Sequence, residues 1–176
     1  MTRERLSQDD AQILRLESAA IKGHTGKVMV LAPDSRGPTW DAIHGRFGAD
    51  VSFINQALER VASEVSIDRA RMALVGFSDG ASYALTLGLA NGDLFARVLA
   101  FSPGFYQTTT NRGAPKFFVS HGTRDTVLDI GHTRTMVGVL QSQGREVQFV
   151  EFDGGHQVPA EISTQALAWL AASWSP

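Results

Sequence analysis

Short apolar runs alternate with segments of helical spacing along most of the chain. Runs of β-branched and large apolar residues predict strands at 27–34, 71–77, 97–104, 116–122 and 146–152. Apolar residues spaced three and four apart predict helices at 9–21, 50–65, 78–92, 129–144 and 160–174. Strands that are apolar on both faces and alternate with helices form parallel sheets that helices cover on both sides. We therefore predict a three-layer α/β/α sandwich around a mostly parallel sheet of about five strands.

Acidic and hydroxyl side chains stand where several of these helices begin. Asp9 and Asp10 supply capping charge to the first predicted helix, and Asp50 or Ser52 is expected to cap the second. Asp129 precedes the fourth helix and has the position of an N-cap. These residues are therefore assigned to helix starts rather than to chemistry.

Composition and charge narrow the class of protein. The 176 residues fit one globular domain over residues 1–176, with a substantial core. A net charge of −2 with no run of Lys and Arg argues against a nucleic-acid partner. The absence of cysteine excludes disulfides and a thiolate nucleophile. The N-terminal segment mixes charged and apolar residues, so we expect neither a signal peptide nor a membrane span, and a cytoplasmic protein with no membrane partner.

A serine framed by glycines, GFSDG at 76–80, follows the second apolar run and precedes a helix. A nucleophile elbow has this order of elements, because the sharp turn exposes the serine hydroxyl. We expect a Cβ at Gly76 or Gly80 to collide with neighbouring backbone. The small residues Ala81 and Ser82 then let the helix approach the sheet. With 17 glycines in the chain, a purely structural glycine turn is the alternative.

Ser78 needs a base, and the chain has five histidines from which to choose. His156 directly follows the last predicted strand in a glycine-containing loop, where its ring can reach a serine on a more central strand. His121 and His44 remain alternatives. His24 precedes a strand, at the opposite edge of the sheet, and His132 falls inside a helix, so both are poor candidates.

An aspartate in the loop after strand 116–122 is the best candidate for the orienting acid. Asp125 lies in that loop, whereas Asp129 is assigned as a helix cap and Asp153 as a polar turn residue. The resulting order of Ser78, Asp125 and His156 is the Ser, Asp, His order of α/β-hydrolases.

The chain resembles the α/β-hydrolase superfamily, in particular the small carboxylesterase/phospholipase-like esterases and their polyhydroxybutyrate-depolymerase-like relatives. The matching segments are LAPDSRG, GFSDGASYAL, FSPGF, VSHGTRDTVL and DGGHQVP, which run from about residue 28 to the C-terminus. The resemblance implies Ser78 as nucleophile, His156 as general base and acid, and Asp125 as its orienting carboxylate. It also implies that the backbone N–H of Asp79 is one oxyanion donor.

The resemblance is incomplete at the front of the chain. Members of this family carry further strands and an HG-x-G segment, whose backbone N–H groups give the second oxyanion donor. Nothing before residue 27 resembles that segment, so the chain resembles a truncated fold of this type. The strands at 27–32 and 71–77 must then pair directly, or another chain must cover the gap. We expect a homo-oligomer, a dimer, that buries this surface.

These observations predict a serine hydrolase that cleaves small or short-chain carboxylic esters through an acyl-enzyme on Ser78, without a cofactor. Trp40 and Phe105 lie in loops that can wall an apolar acyl pocket, although both can equally be core residues. The alternative function is a weak or inactive hydrolase-like binding module, because losing one oxyanion donor costs about 100- to 1000-fold in rate. A metal site is disfavoured, since no ligand motif matches the spacing of His121, Asp125, Asp153 and His156.

Overall fold

A computed structural model describes residues 11–16, 28–45, 47–108 and 110–174, and these form an α/β fold. The strands are β1 (Ala11–Leu16), β2 (Val28–Pro33), β3 (Ala73–Phe77), β4 (Arg97–Phe101), β5 (Lys116–Gly122) and β6 (Val147–Phe152). The helices are α1 (Ala49–Glu64), α2 (Asp79–Ala90), α3 (Ile130–Ser142) and α4 (Ala160–Ala172). Short 3₁₀ turns at Asp41–His44 and Arg69–Arg71 complete the described elements. The predicted fold class is confirmed.

The central sheet is parallel, in the order β3-β4-β5-β6, and its two faces are covered by different helices. Side chains of alternating positions on β4 and β5 point to opposite faces, which is why the central residues of these strands are apolar on both faces. One face packs against α2 and α3 through Val98, Ala100, Phe117 and Val119. The other face packs against α4 through Leu99, Phe101 and Phe118. Each fully buried large side chain contributes about 1.5–3 kcal/mol to the free energy of folding.

The segment predicted as a helix at 9–21 is a strand over its described part, so that prediction is wrong. β1 pairs antiparallel with β2, from Ala11 opposite Pro33 to Leu16 opposite Val28. Short apolar segments fit helix and strand patterns alike, and the outcome depends on whether a partner edge is present. Here β2 offers that edge, and the backbone hydrogen bonds of the pair outweigh the local helical spacing. Residues 9, 10 and 17–21 lie outside the described residues.

The number of strands in the main sheet also differs from the prediction. Among the described residues the parallel sheet has four strands rather than about five, because β2 joins β1 in a separate two-stranded sheet. The direct pairing of β2 with β3, one of the two alternatives considered, is therefore wrong. Within the part of the chain that the structure describes, β3 is therefore an edge strand, and its Val75 and Phe77 side chains are exposed.

The helix caps match the prediction in part. Asp129 caps α3, since its side chain accepts the N–H of Gly131. Asp50 and Ser52 are not the cap of α1, which begins after Gly48; both lie within the first turn. The Asp41 carboxylate of the preceding 3₁₀ turn accepts the N–H groups of Gly48 and Asp50 instead. In the described part of the chain, no helix combines the length and the apolar character needed to cross a bilayer.

Candidate active site

Ser78 occupies a strained turn between β3 and α2. Its φ of 57° and ψ of −122° lie in a region that side chains other than glycine rarely adopt. The turn is held because the Ser78 N–H donates to the carbonyl oxygen of Phe101 on β4 at 2.9 Å. The pairing of β3 with β4 and the core contacts of α2 hold Ser78 in this strained conformation. The predicted strand-turn-helix arrangement around the serine is present.

The two framing glycines serve different purposes. A Cβ at Gly76 would lie 2.1 Å from the carbonyl oxygen of Gly80, so any side chain there would push α2 away from β3. The predicted collision at Gly80 is wrong. The nearest atom to a Cβ at that position is Nε1 of the Trp40 side chain, at 3.6 Å. This distance is an ordinary van der Waals contact.

His156 lies between the serine and the aspartate. Its Nε2 is 2.9 Å from Ser78 Oγ, and its Nδ1 is 2.7 Å from Asp125 Oδ2. A carboxylate only accepts, so Nδ1 carries the proton and the neutral ring presents the Nε2 lone pair to the serine hydroxyl. The ring of Phe77 packs against the imidazole, with centroids 4.8 Å apart. This arrangement can accept a proton from Ser78.

The carboxylate of Asp125 is fully buried and accepts three N–H groups, two from the backbone and one from His156. Oδ1 accepts the backbone N–H groups of Val127 and Leu128 at 2.8 and 2.9 Å. Oδ2 contacts His156, and it also lies 3.2 Å from Nε2 of His121. Burial alone would raise the pKa of Asp125. The Leu128 N–H, the His156 ring and the Val127 N–H outweigh it, so the pKa lies below its usual 3.8.

The other histidines are distributed as follows. His121 is fully buried and touches Asp125 but makes no contact with Ser78, whereas His44 and His132 are exposed on the 3₁₀ turn and on α3. His24 lies outside the described residues. Of the four histidines in the described part of the chain, His156 alone hydrogen-bonds to Ser78.

Asp79 begins α2, so its backbone N–H is among those without an intrahelical acceptor. The Asp79 side chain is fixed at both oxygens. Oδ1 accepts the N–H of Gly80 at 2.7 Å, and Oδ2 accepts the hydroxyl of Thr39 from the loop after β2. Sequence reasoning missed Thr39, because nothing in the pattern of a polar loop distinguishes one hydroxyl from another.

The two residues predicted to wall a pocket both contact α2, through different residues of the helix. Trp40 stacks on Tyr83 of α2, with ring centroids 4.6 Å apart, and its Nε1 lies close to Gly80. Phe105 is half-buried, and its N–H donates to Ser82 Oγ at 3.3 Å. A cavity of about 560 Å³ adjoins the Trp40 loop and is lined by Arg36, Pro38, Thr39 and His44 among others.

The residues considered for a metal site are engaged otherwise. Asp153 is exposed and forms an ion pair with Arg124 at 2.7 Å. Across the residues that the structure describes, no group of three or more His, Cys, Asp and Glu side chains is arranged to hold a metal ion.

The sequence of residues 44–173 matches the model of the phospholipase/carboxylesterase family. The chain is also similar to feruloyl esterase C of Emericella nidulans, with 23% identity over 74% of this chain and 57% of that protein. A probable feruloyl esterase C of Aspergillus niger is likewise 23% identical, over 85% of this chain and 64% of that protein. The chain thus spans about three-fifths of the length of these curated relatives.

Solved structures with the same fold include two bacterial hydrolases. The Bacillus cereus carboxylesterase has a TM-score of 0.69 at 16% identity, over 89% of this chain and 80% of its own. The S-formylglutathione hydrolase of Staphylococcus aureus has a TM-score of 0.67 at 16% identity, over 88% of this chain and 72% of its own. At these identities the likeness is one of fold.

Proposed function

This chain belongs to the phospholipase/carboxylesterase family, and from that premise we propose that it hydrolyses small carboxylic esters through an acyl-enzyme on Ser78. One observation carries the proposal. A continuous hydrogen-bonded path runs from Ser78 Oγ through both nitrogens of His156 to Asp125, with distances of 2.9 and 2.7 Å. A serine hydroxyl, a neutral imidazole and a buried carboxylate in this order form an activated nucleophile.

Acylation begins when His156 Nε2 accepts the Ser78 proton as Oγ forms a bond to the ester carbonyl carbon. The backbone N–H of Asp79 donates to the oxyanion that develops, and the positive end of the α2 dipole favours that charge. The imidazolium then gives its proton to the alkoxy oxygen, whose bond to carbon breaks. The products of this half-reaction are an alcohol and the Ser78 ester.

Deacylation repeats the sequence with water. His156 accepts a proton from the water as its oxygen bonds to the acyl carbon, and then returns that proton to Ser78 Oγ as the carbon–Oγ bond breaks. Asp125 holds Nδ1 throughout and stabilises the imidazolium that forms in each half. The carboxylic acid leaves, and the enzyme is restored.

The proposed substrates are esters with small or short acyl groups. The loop that carries Trp40 approaches the start of α2 from one side and the Phe105 segment contacts α2 through Ser82, so both can wall an acyl group. Relatives named as feruloyl esterases support an ester of a carboxylic acid as the substrate class.

The test is covalent labelling by a fluorophosphonate probe, together with hydrolysis of p-nitrophenyl acetate in the presence of EDTA. We expect labelling of the wild type, and its loss together with activity in Ser78→Ala. Ser102→Ala is the matched control, because Ser102 also has a positive φ, of 51°, yet its hydroxyl has no hydrogen-bond partner among the described residues. Absence of labelling in folded wild-type protein would contradict the proposal and favour a hydrolase-like binding module.

We also propose that two copies associate through β3. Val75 and Phe77 on this edge strand are 62% and 40% exposed, and within the described residues β3 pairs with β4 alone. Apolar edge strands attract further strands. Size-exclusion chromatography with light scattering should give a dimer that Val75→Glu converts to a monomer. A wild-type monomer at micromolar concentration would count against this association.

A further inference from the structure

A second histidine, His121, lies next to the aspartate of the site. It is fully buried at the carboxyl end of β5, on the face that α3 covers. Its Nε2 is 3.0 Å from the carbonyl oxygen of Leu128 and 3.2 Å from Asp125 Oδ2. Its Nδ1 is 2.8 Å from the hydroxyl oxygen of Thr133 on α3. Both ring nitrogens are therefore within hydrogen-bond distance of buried oxygen atoms.

The contacts of Nε2 determine its protonation. Both of its neighbours, the Leu128 carbonyl and the Asp125 carboxylate, are acceptors without a hydrogen to give. An unprotonated Nε2 would turn its lone pair towards two oxygen atoms in a site without solvent, which is unfavourable. Nε2 therefore carries a hydrogen, which it donates to the Leu128 carbonyl oxygen, while Asp125 Oδ2 lies beside it at ion-pair distance.

The contacts of Nδ1 determine the second proton. Thr133 Oγ1 also lies 2.8 Å from the carbonyl oxygen of Pro103, which can only accept. The hydroxyl has one hydrogen, so it cannot donate to both Pro103 and His121. If it donates to Pro103, Nδ1 must donate to the hydroxyl oxygen. Only the imidazolium form of His121 satisfies every contact.

The charges around His121 agree with a cation there. Asp125 is fully buried, and a buried carboxylate without a counter-charge is costly. The neutral form of His156, which is the form that accepts the Ser78 proton, supplies no such counter-charge. Glu151 of β6 lies in register with His121, and its carboxylate is paired with Arg134 of α3 at 2.6 Å. Asp125 and Glu151 thus attract a cation at His121, and Arg134 partly offsets the effect of Glu151.

We propose that His121 is a positioning residue of the same site, a buried imidazolium whose positive charge, 3.2 Å from Asp125 Oδ2, holds that carboxylate in place for His156. It acts through the aspartate and contacts neither the nucleophile nor the base. Thr133 belongs to the same arrangement, because its hydroxyl oxygen accepts the hydrogen bond that the His121 Nδ1–H donates. The catalytic consequence rests on the proposed function, whereas the protonation state does not.

Nitrogen NMR of histidine-labelled wild-type protein tests the protonation state directly. We expect both ring nitrogens of His121 to give protonated-type signals at pH 7. An unprotonated Nδ1 at pH 7 overturns the proposal. Because the readout needs no substrate, a protein without esterase activity can still give the expected spectrum, so the two proposals fail separately.

The variants Thr133→Val and Thr133→Ser test the catalytic consequence. Valine has the shape of threonine without the hydroxyl, so we expect His121 to lose the Nδ1 proton. Removing this positive charge makes protonation of the base, His156, more favourable. The acidic limb of the kcat/KM profile should therefore move up by about half a pH unit to one unit. We expect kcat to fall about tenfold at pH 7 with KM unchanged.

Thr133→Ser keeps the hydroxyl and is the control. Its kcat and pH profile should stay within about twofold of the wild type. Equal behaviour of the valine and serine variants, with both proteins folded, overturns a positioning role even if the imidazolium is present.

Discussion

Two loops of this molecule are each organised by a buried aspartate that accepts two backbone N–H groups. In the loop between β2 and α1, Asp50 Oδ1 accepts the N–H of Arg36 and Oδ2 accepts that of Asp41, both at 2.6 Å. In the loop between β5 and α3, Asp125 Oδ1 alone accepts the N–H groups two and three residues further on. Its Oδ2 is left for the side chains of His156 and His121.

The difference lies in how the two carboxylate oxygens are used. Asp50 commits both to the backbone, so its role is complete once the loop is folded. Asp125 closes its loop with one oxygen, and the other holds a side chain that can take part in chemistry. The same folding device therefore serves structure in one region and structure plus function in the other.

The largest effect is expected when each aspartate is replaced by asparagine, and the two variants should separate the two roles. We expect Asp125→Asn to lower kcat for p-nitrophenyl acetate by about 10⁴-fold, because an amide no longer fixes the His156 tautomer. Asp50→Asn should retain kcat within about threefold while lowering the free energy of unfolding by about 1–3 kcal/mol, since an amide cannot accept two N–H groups in the same way. Kinetics and urea unfolding measure the pair. Similar losses of kcat in both variants would erase the distinction.

Glycine substitutions compare the rigidity of the two regions. Gly76→Ala places a Cβ 2.1 Å from the Gly80 carbonyl oxygen, and we expect it to lower the free energy of unfolding by about 2–4 kcal/mol and to disrupt activity. Gly37, in the loop after β2, has its nearest atom, the Thr39 carbonyl oxygen, at 3.5 Å. Gly37→Ala should therefore cost less than about 1 kcal/mol. Chemical denaturation measures both, and equal costs would contradict the comparison.

Thr39 is the point at which the loop after β2 reaches the site. Thr39→Val removes the donor to Asp79, and we expect kcat to fall about three- to tenfold, because the first turn of α2 loses one of its fixed contacts. KM should change little. Thr39→Ser keeps the donor and should keep kcat. An unchanged kcat in the valine variant would mean that the loop after β2 makes no contribution to catalysis through Thr39.

Tyr83→Phe gives the smallest expected effect and tests the electrostatic influence of Asp41 and Asp50 on a neighbouring side chain. Burial, together with the carboxylates of Asp41 and Asp50, raises the pKa of Tyr83 above its usual 10.0. A raised pKa contributes stability below pH 10 that is lost as the pH rises further. Tyr83→Phe should lack this alkaline loss. At pH 7 its stability should lie within about 1 kcal/mol of the wild type, since only the hydroxyl is lost and the phenyl ring can keep the stacking on Trp40. Urea unfolding at pH 7 and at about pH 10.5 measures both, and parallel alkaline losses would count against the assignment.

The β3–β6 side could be predicted closely from the sequence because its signals are local. Strands that are buried on both faces carry uninterrupted apolar runs, and the turn at Ser78 needs Gly76 beside it. Asp125 and Asp129 were separable because one directly follows a strand and the other caps a helix, as the contact with Gly131 bears out. Each of these signals lies within a few residues of the feature that it predicts.

The β1–β2 side depends on partners that are distant in sequence. The segment 11–16 has helical spacing, yet it is a strand because β2 is there to pair with it. The cap of α1 was misassigned because Asp41, a residue of the preceding turn, accepts the N–H groups concerned.

The contact of His121 with Asp125, on the β5 side of the molecule, could not be predicted either. The sequence shows the spacing of the two residues but not that Thr133 of α3 contacts the His121 ring.

The parallel order β3-β4-β5-β6 has a consequence for the time course of refolding. Ser78, Asp125 and His156 follow three different strands, and crossover helices separate those strands along the chain. Such non-local pairings form late, after the local helices. The three side chains meet only when β6 has docked on β5. Recovery of esterase activity should therefore lag behind the recovery of helical circular dichroism. The rate at which activity returns would then report the rate at which β6, the last strand of the sheet, docks on β5.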